Sequence, residues 1–164
     1  MMRVSGSDFV SRYGGVYEHS AWVAERAAPR LDGCNDPERI AAVMAECVDD
    51  ASRDLKLELI RAHPDLVDRA RLAGPLTADS ADEQASAGLD RCSAEQIARF
   101  AALNRAYREK FDFPFVMAVR GSSAADILAA FETRLRNGVD AEFETALAEI
   151  HKIARQRLLA RDER

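Results

Sequence analysis

Apolar residues recur at three- and four-residue intervals along most of the chain, the spacing of one face of a helix. The pattern is clearest near the C-terminus, where one stripe comprises Phe143, Leu147, Ile150, Ala154 and Leu158. Glycine and proline number only 8 and 5, so few positions interrupt a helix. The pattern predicts an all-α fold. We expect a compact single domain over residues 1–164 with about seven to nine helices.

Helix starts are marked by side chains that accept hydrogen bonds from the free N–H groups of a first turn. The predicted caps are Asp36, Ser52, Ser93 and Ser123. Ser80 and Glu83 also have the spacing of a capping box, which predicts a helix that starts at Ser80. Gly138 is placed to end a helix in the left-handed conformation, with Asp140 starting the last one.

Two stretches do not fit the helical pattern. "FDFPFVMAV", residues 111–119, is aromatic and β-branched, and Pro114 removes a backbone donor from its middle, so a non-helical segment is predicted. The other begins at His63, which precedes a proline and is therefore disfavoured from helical conformation. A helix should end near Ala62, and a long loop over residues 63–79 should follow.

Composition excludes several classes of protein. The net charge is −5, and 23 basic residues are scattered among 28 acidic ones, which argues against a nucleic-acid-binding surface. No apolar run has the length of a membrane span, and the N-terminus lacks the apolar core of a signal peptide. Cys34, Cys47 and Cys92 are far apart, which is typical of reduced thiols in a cytoplasmic protein. We therefore expect a cytoplasmic protein that binds neither nucleic acid nor membrane.

His63 is the first candidate for chemistry among three histidines. At a helix C-terminus the dipole favours the imidazolium form, so His63 is either a capping residue or a proton-transfer group. Glu83 has two interpretations as well. Its carboxylate can close the capping box, or it can serve a ligand held at the helix N-terminus, where the amide of Gln84 both donates and accepts.

Arg157 falls within the same arc as the apolar stripe of the last helix. One interpretation is a side chain at the edge of the stripe that extends to water. The other is an arginine that points into a pocket and binds an anion. No metal site is predicted, because His19 and His151 have no partner at ligand spacing.

Five segments in this order resemble the OHCU decarboxylase family: "GGVYEHSAWVAERA", "LIRAHPDL", "TADSADEQASAGL", "FAALNRAYREKFDFPFVMAVRG" and "ETRLRNGVDAEFETALAEIHKIARQRL". The resemblance covers the chain from about Phe9 to Leu158. It implies an all-helical enzyme that decarboxylates 2-oxo-4-hydroxy-4-carboxy-5-ureidoimidazoline to (S)-allantoin, the last step of urate degradation to allantoin. It implies a small-molecule substrate as the partner and a homodimer as a common assembly of such enzymes. No cofactor is expected, because an adjacent C=N bond of that substrate can accept the electron pair left by CO2.

The resemblance also implies roles for individual residues. His63 is expected to be the catalytic histidine, and Glu83 is expected to orient or charge it or to contact the substrate. The residues expected to bind substrate are Pro64, Ser80, Gln84, Phe115, Val116, Met117, Ala118, Val119 and Arg157. The segment from Phe115 to Val119 would act through its backbone, whose N–H and C=O groups can pair with a ring that carries amides.

The chain departs from the family pattern at two places. Asp112 replaces a glycine, and aspartate tolerates a positive φ better than most residues. "APRLDG", residues 28–33, replaces the family's "RPF" and is expected to be a loop of altered shape. Glu18, His19 and Trp22 of the first motif either line the pocket or pack the first helix.

Three alternatives remain open from the sequence. The first is a helical interaction module without chemistry. The second is a metal-dependent hydrolase of ureido compounds, against which the missing ligand spacing argues. The third is a decarboxylase for a related imidazoline, with distal substrate contacts in the "APRLDG" segment.

Overall fold

A computed structural model of the chain describes residues 6–67 and 76–162. These residues form eight α-helices, one short 3₁₀ helix at Leu89–Arg91, and no strand. The α-helices are α1 (Gly6–Tyr13), α2 (Trp22–Leu31), α3 (Pro37–Asp49), α4 (Arg53–Arg61), α5 (Ala78–Ser86), α6 (Ala94–Phe111), α7 (Ala124–Leu135) and α8 (Val139–Asp162). The predicted all-α class and number of helices are confirmed.

The chain divides into two compact units. Unit 1 takes the residues up to Ala62 and from Ile150 onward, and unit 2 runs from His63 to Glu149. Helix α8 therefore contributes residues to both units. The single domain over residues 1–164 stays a prediction.

The four predicted caps are confirmed. Asp36 accepts a hydrogen bond from the backbone of Glu38 at 3.2 Å, and Ser52 accepts one from Leu55 at 3.2 Å. The other two caps are complete capping boxes, formed by Ser93 with Gln96 and by Ser123 with Asp126. These bonds satisfy backbone donors that a first helical turn otherwise leaves without a partner.

The predicted helix boundaries at Ser80, Gly138 and Asp140 are wrong. Helix α5 starts at Ala78 with Thr77 as its cap, because Thr77 Oγ1 accepts the hydrogen bond from the backbone N–H of Ser80 at 3.2 Å. Ser80 and Glu83 therefore do not form a capping box. Gly138 does not have a positive φ, and its C=O instead accepts the hydrogen bond from Glu142 N at 3.0 Å that opens α8. Helix α8 accordingly starts at Val139 and not at Asp140.

Unit 2 has an aromatic core built around the predicted non-helical segment. Residues 113–119 form no regular secondary structure, as predicted from Pro114. The ring of Phe115 stacks on Phe131 of α7, with centroids 3.9 Å apart and planes at 9°. Tyr107 of α6 meets both rings edge-on. Asp112 ends α6 with φ of 61°, the conformation for which its tolerance was predicted.

In unit 1, α2 packs against α1 and α3. All five residues of the predicted apolar stripe of α8 are buried. The expected "APRLDG" loop is wrong, because residues 28–31 form the last turn of α2 with Pro29 inside the helix, and the helix ends only before Asp32. No helix among the described residues is long and apolar enough to cross a membrane.

Candidate active site

Helix α5 buries a polar face. Ser80, Glu83 and Gln84 are all buried, and residues three and four apart share one side of a helix. Serine, glutamate and glutamine are mostly exposed in folded proteins, so three of them on one covered face form an unusual polar wall. Because Thr77 caps the helix, the carboxylate of Glu83 does not serve in the predicted capping box.

His63 lies directly after the end of α4. The helix ends at Arg61 with Ala62 as its C-cap, and the Ala62 N–H still bonds to the carbonyl of Glu58 at 3.0 Å. This end agrees with the prediction from the His63–Pro64 dipeptide. His63 is buried, with 6% of the residue exposed.

Gln84 connects the polar face of α5 with the segment that follows His63. Its side-chain oxygen accepts a hydrogen bond from the backbone N–H of Val67 at 3.2 Å. The structure thus places Gln84, a predicted substrate-binding residue, against Val67. Val67 follows the predicted catalytic histidine by four residues. Pro64 lies between them and is half-buried.

The backbone of residues 115–119 is fixed by two side chains of unit 2. Arg134 donates from Nη1 to the carbonyl of Val116 at 2.6 Å, and the Ala118 N–H donates to Glu149 Oε1 at 3.4 Å. Phe115 and Val119 are buried, whereas Met117 and Ala118 are half-buried. This segment is therefore held outside any helix by two side-chain contacts and has two partly accessible residues at its centre.

Arg134 is held in turn by a buried glutamate. Glu142 is 0% exposed and accepts hydrogen bonds from Tyr107 Oη at 2.6 Å, Arg134 Nε at 2.8 Å and Asn137 Nδ2 at 2.9 Å. Burial raises the pKa of the Tyr107 phenol, and the bond to Glu142 raises it further. The arginine compensates the buried charge of Glu142, which would otherwise be strongly destabilising.

Arg157 belongs to unit 1, where Glu18 holds its guanidinium. Arg157 Nη2 donates to Glu18 Oε2 at 2.9 Å, and Nη1 donates to the carbonyl of Gly15 at 3.5 Å. Only 3% of Arg157 is exposed, so the interpretation of a side chain that extends to water is wrong. The structure gives Glu18, which had no role from the sequence, the function of binding this arginine.

The other residues of the first motif have separate surroundings. His19 is largely exposed with φ of 48°, and Trp22 opens α2 with the guanidinium of Arg26 over its ring at 4.9 Å. The Nδ1 atom of His151 is hydrogen-bonded to Tyr17 Oη at 2.8 Å, and its Nε2 atom lies 3.2 Å from Asp49 Oδ1. Among residues 6–67 and 76–162, no group of three or more His, Cys, Asp or Glu side chains could hold a metal ion.

Two residues of α6 at this site were not predicted. Asn104 donates from Nδ2 to the carbonyl of Leu66 at 2.9 Å, and Arg108 binds the carboxylate of Asp65. A signal for Asn104 is present in the sequence, since it shares the buried face of α6 with Tyr107 and Phe111. An amide on an apolar helix face indicates a specific hydrogen-bond partner.

A cavity of about 640 Å³ lies elsewhere, within unit 1. Its walls come from α1, from the end of α2 and from residues 32–34. None of the site residues predicted from the sequence lines it. The altered "APRLDG" segment thus borders this cavity of unit 1.

Comparisons with known proteins identify the family. The family model described as OHCU decarboxylase matches residues 2–159. A 2-oxo-4-hydroxy-4-carboxy-5-ureidoimidazoline decarboxylase of Haloferax volcanii is 45% identical over 159 residues, which cover 97% of this chain and 92% of that protein. A uric acid degradation bifunctional protein of Bacillus sp. is 40% identical over 155 residues, 94% of this chain but 30% of that longer protein.

A solved structure agrees with these relatives. The crystal structure of an (S)-allantoin synthase superposes with a TM-score of 0.76 at 34% identity, covering 96% of this chain and 50% of that chain. The matched segments include every motif from which the resemblance was predicted. The chain belongs to the OHCU decarboxylase family.

Proposed function

We propose that the protein decarboxylates 2-oxo-4-hydroxy-4-carboxy-5-ureidoimidazoline to (S)-allantoin, the last step of urate degradation to allantoin, without a cofactor. The observation that carries the proposal is the buried imidazole of His63 at a helix break, with Gln84 of the buried polar face of α5 bonded to the same segment. The names of the relatives support the same reaction.

The reaction needs a place for an electron pair. When the bond between the ring carbon and the carboxylate breaks, CO2 leaves and both electrons of that bond remain on the ring carbon. Many decarboxylases use a cofactor as the electron sink, but here an adjacent C=N bond accepts the pair. The protein's tasks are to orient the leaving carboxylate out of the ring plane, to stabilise charge that develops on the ring, and to deliver a proton to one face.

The residues divide these tasks by their chemistry. His63 moves protons on and off the hydroxyl group and the ring, because imidazole titrates near neutral pH. Glu83 sets the charge state of His63 or contacts the substrate. Ser80 and Gln84 offer hydrogen bonds from the same helix face.

Three further contacts complete the proposed substrate set. Pro64 lies beside the ring, and the backbone of residues 115–119, which lies outside any helix, pairs with the ring's amide groups. Arg157 binds a substrate carboxylate or carbonyl, and substrate would then compete with Glu18 for its guanidinium. A homodimer and a cytoplasmic location are proposals of the same kind.

A coupled assay tests the reaction. Urate oxidase and hydroxyisourate hydrolase generate the unstable substrate from urate, this protein is added, and circular dichroism follows the allantoin formed. We expect rapid formation of one enantiomer. Slow racemic product at the rate of the spontaneous reaction would contradict the proposal and favour a related imidazoline substrate or a non-catalytic helical module.

A further inference from the structure

The peptide group between Leu66 and Val67 is hydrogen-bonded at both ends by buried side-chain amides. Its C=O accepts from Asn104 Nδ2 of α6 at 2.9 Å, and its N–H donates to Gln84 Oε1 of α5 at 3.2 Å. Asn104 and Gln84 are 9% and 8% exposed. Two helices thus fix the orientation of one peptide plane, because a flip would leave buried donors and acceptors without partners.

The backbone conformation of Val67 indicates that the surrounding structure imposes the orientation of this peptide plane. Its φ is 56°, in the left-handed region that β-branched residues rarely adopt. A residue persists in such a conformation only where its surroundings over-determine it. The two amides provide that constraint at the peptide that precedes Val67.

The residue before this peptide is fixed by the same helix. Arg108 Nε lies 3.0 and 3.1 Å from the two carboxylate oxygens of Asp65. Arg108 follows Asn104 by four residues, so both side chains leave the same face of α6. Asp65, Leu66 and Val67 are therefore held one after another by Arg108, Asn104 and Gln84.

The segment held by these three side chains is joined to His63 by a stiff connection. Only Pro64 separates His63 from Asp65, and the proline ring fixes one of the two soft backbone torsions there. We propose that Asn104 and Arg108 are positioning residues that set the orientation of the His63 imidazole through the clamped segment Asp65–Leu66–Val67. The expected effect on the rate rests on the proposed function, whereas the expected effect on the orientation of the His63 imidazole does not.

The test uses Asn104→Asp, which keeps the shape of the side chain but removes the donor to the carbonyl of Leu66. Because displacement of a catalytic group lowers the rate without removing substrate contacts, we expect kcat to fall by about tenfold or more with KM changed by less than about threefold. Arg108→Ala should lower kcat by a smaller factor. Arg105→Ala is the matched control, since Arg105 is also an exposed arginine of α6, and its kcat should equal that of the wild type.

A second measurement reports on His63 directly. The chain has three histidines, so ring-labelled histidine gives three sets of NMR signals. In Asn104→Asp and Arg108→Ala only the His63 signals should shift, while those of His19 and His151 remain. Arg108→Ala keeps the test valid if Asn104→Asp fails to fold, because Arg108 lies at the surface.

Each outcome has a defined meaning. Unchanged His63 signals and kcat in folded variants would overturn the inference, and so would shifts of all three histidines, which would indicate a general loss of structure. If the wild type formed no allantoin yet only the His63 signals moved in the variants, the proposed function would fail and the positioning of His63 would stand.

Discussion

Arg157 of α8 and Glu18 form a buried ion pair in unit 1, with Nη2 and Oε2 separated by 2.9 Å and only 3% and 1% of the two residues exposed. Neither partner is in water, and each charge compensates the other. The backbone carbonyl of Glu18 is itself bonded by the hydroxyl of Ser20 at 2.9 Å. The first motif thus forms a rigid support for the arginine.

Removal of one partner of this pair should be strongly destabilising. Glu18→Gln removes the carboxylate charge that the buried guanidinium of Arg157 binds, and we expect the free energy of unfolding to fall by about 3–5 kcal/mol. Arg157→Met should cost a similar amount. The double variant should lose less than the sum of the two, because the two residues are in direct contact. Urea denaturation followed by circular dichroism measures the free energy of unfolding of the wild type, the two single variants and the double variant.

An exposed ion pair between α8 and α3 provides the control. Arg155 binds Glu38, and about half of each side chain is exposed. Arg155→Ala should therefore change the free energy of unfolding by less than about 1 kcal/mol. If Glu18→Gln cost no more than Arg155→Ala, the buried pair would not be a stabilising feature of the fold.

The start of α5 gives a second prediction. Thr77→Ala removes the hydroxyl that accepts the N–H of Ser80, and it should lower the free energy of unfolding by about 1 kcal/mol. Thr77→Ser keeps the hydroxyl and should remain within a few tenths of a kcal/mol of the wild type. Ser80→Ala leaves the cap in place but removes the hydroxyl proposed to bind substrate. It should therefore reduce kcat/KM more than Thr77→Ala does. An equal stability of Thr77→Ala and the wild type would place the cap elsewhere.

The Tyr107–Glu142 bond gives a prediction for pH. The folded state raises the pKa of Tyr107 above its ordinary value of 10.0, so folding favours the neutral phenol. Its contribution to stability is complete below that value and is lost as the pH rises above it. At neutral pH, Tyr107→Phe should cost about 1.5–3 kcal/mol, because the lost hydrogen bond is to a charged group.

The difference between wild type and Tyr107→Phe should therefore shrink as the pH rises from about 10 to about 11. Phe131→Leu is the control, since Phe131 contacts the same ring but does not titrate, and its destabilisation should not follow this trend. Denaturation with urea at several pH values measures both. A difference that stays constant over this range would contradict the role of the phenol proton.

The features that the sequence predicted well depend on neighbouring residues. Caps such as Asp36 and Ser93 act on backbone groups two or three residues away, and the stripe of α8 follows from helical periodicity. The non-helical segment around Pro114 follows from the chemistry of one residue. The predicted cap of α5 was wrong because Thr77 and Ser80 can both cap a helix. The spacing from Ser80 to Glu83 matched a capping box and therefore favoured Ser80.

The partners of buried charges were not predictable in this way. Glu18 and Arg157 are 139 positions apart, and nothing in either neighbourhood specifies the other. The same holds for the bonds of Gln84 to Val67 and of Asn104 to Leu66, which require knowledge of how α5 and α6 approach the segment after His63. Helix periodicity placed these amides on a face but not against a particular backbone group.

The most direct test of the proposed catalytic role is the optical purity of allantoin formed by His63→Asn in the coupled assay. His151→Asn is the control, because His151 is bonded to Tyr17 and Asp49 and has no proposed role in the reaction. The account predicts nearly racemic product at the spontaneous rate from His63→Asn, and one enantiomer from the wild type and from His151→Asn. Rapid formation of a single enantiomer by folded His63→Asn would contradict it.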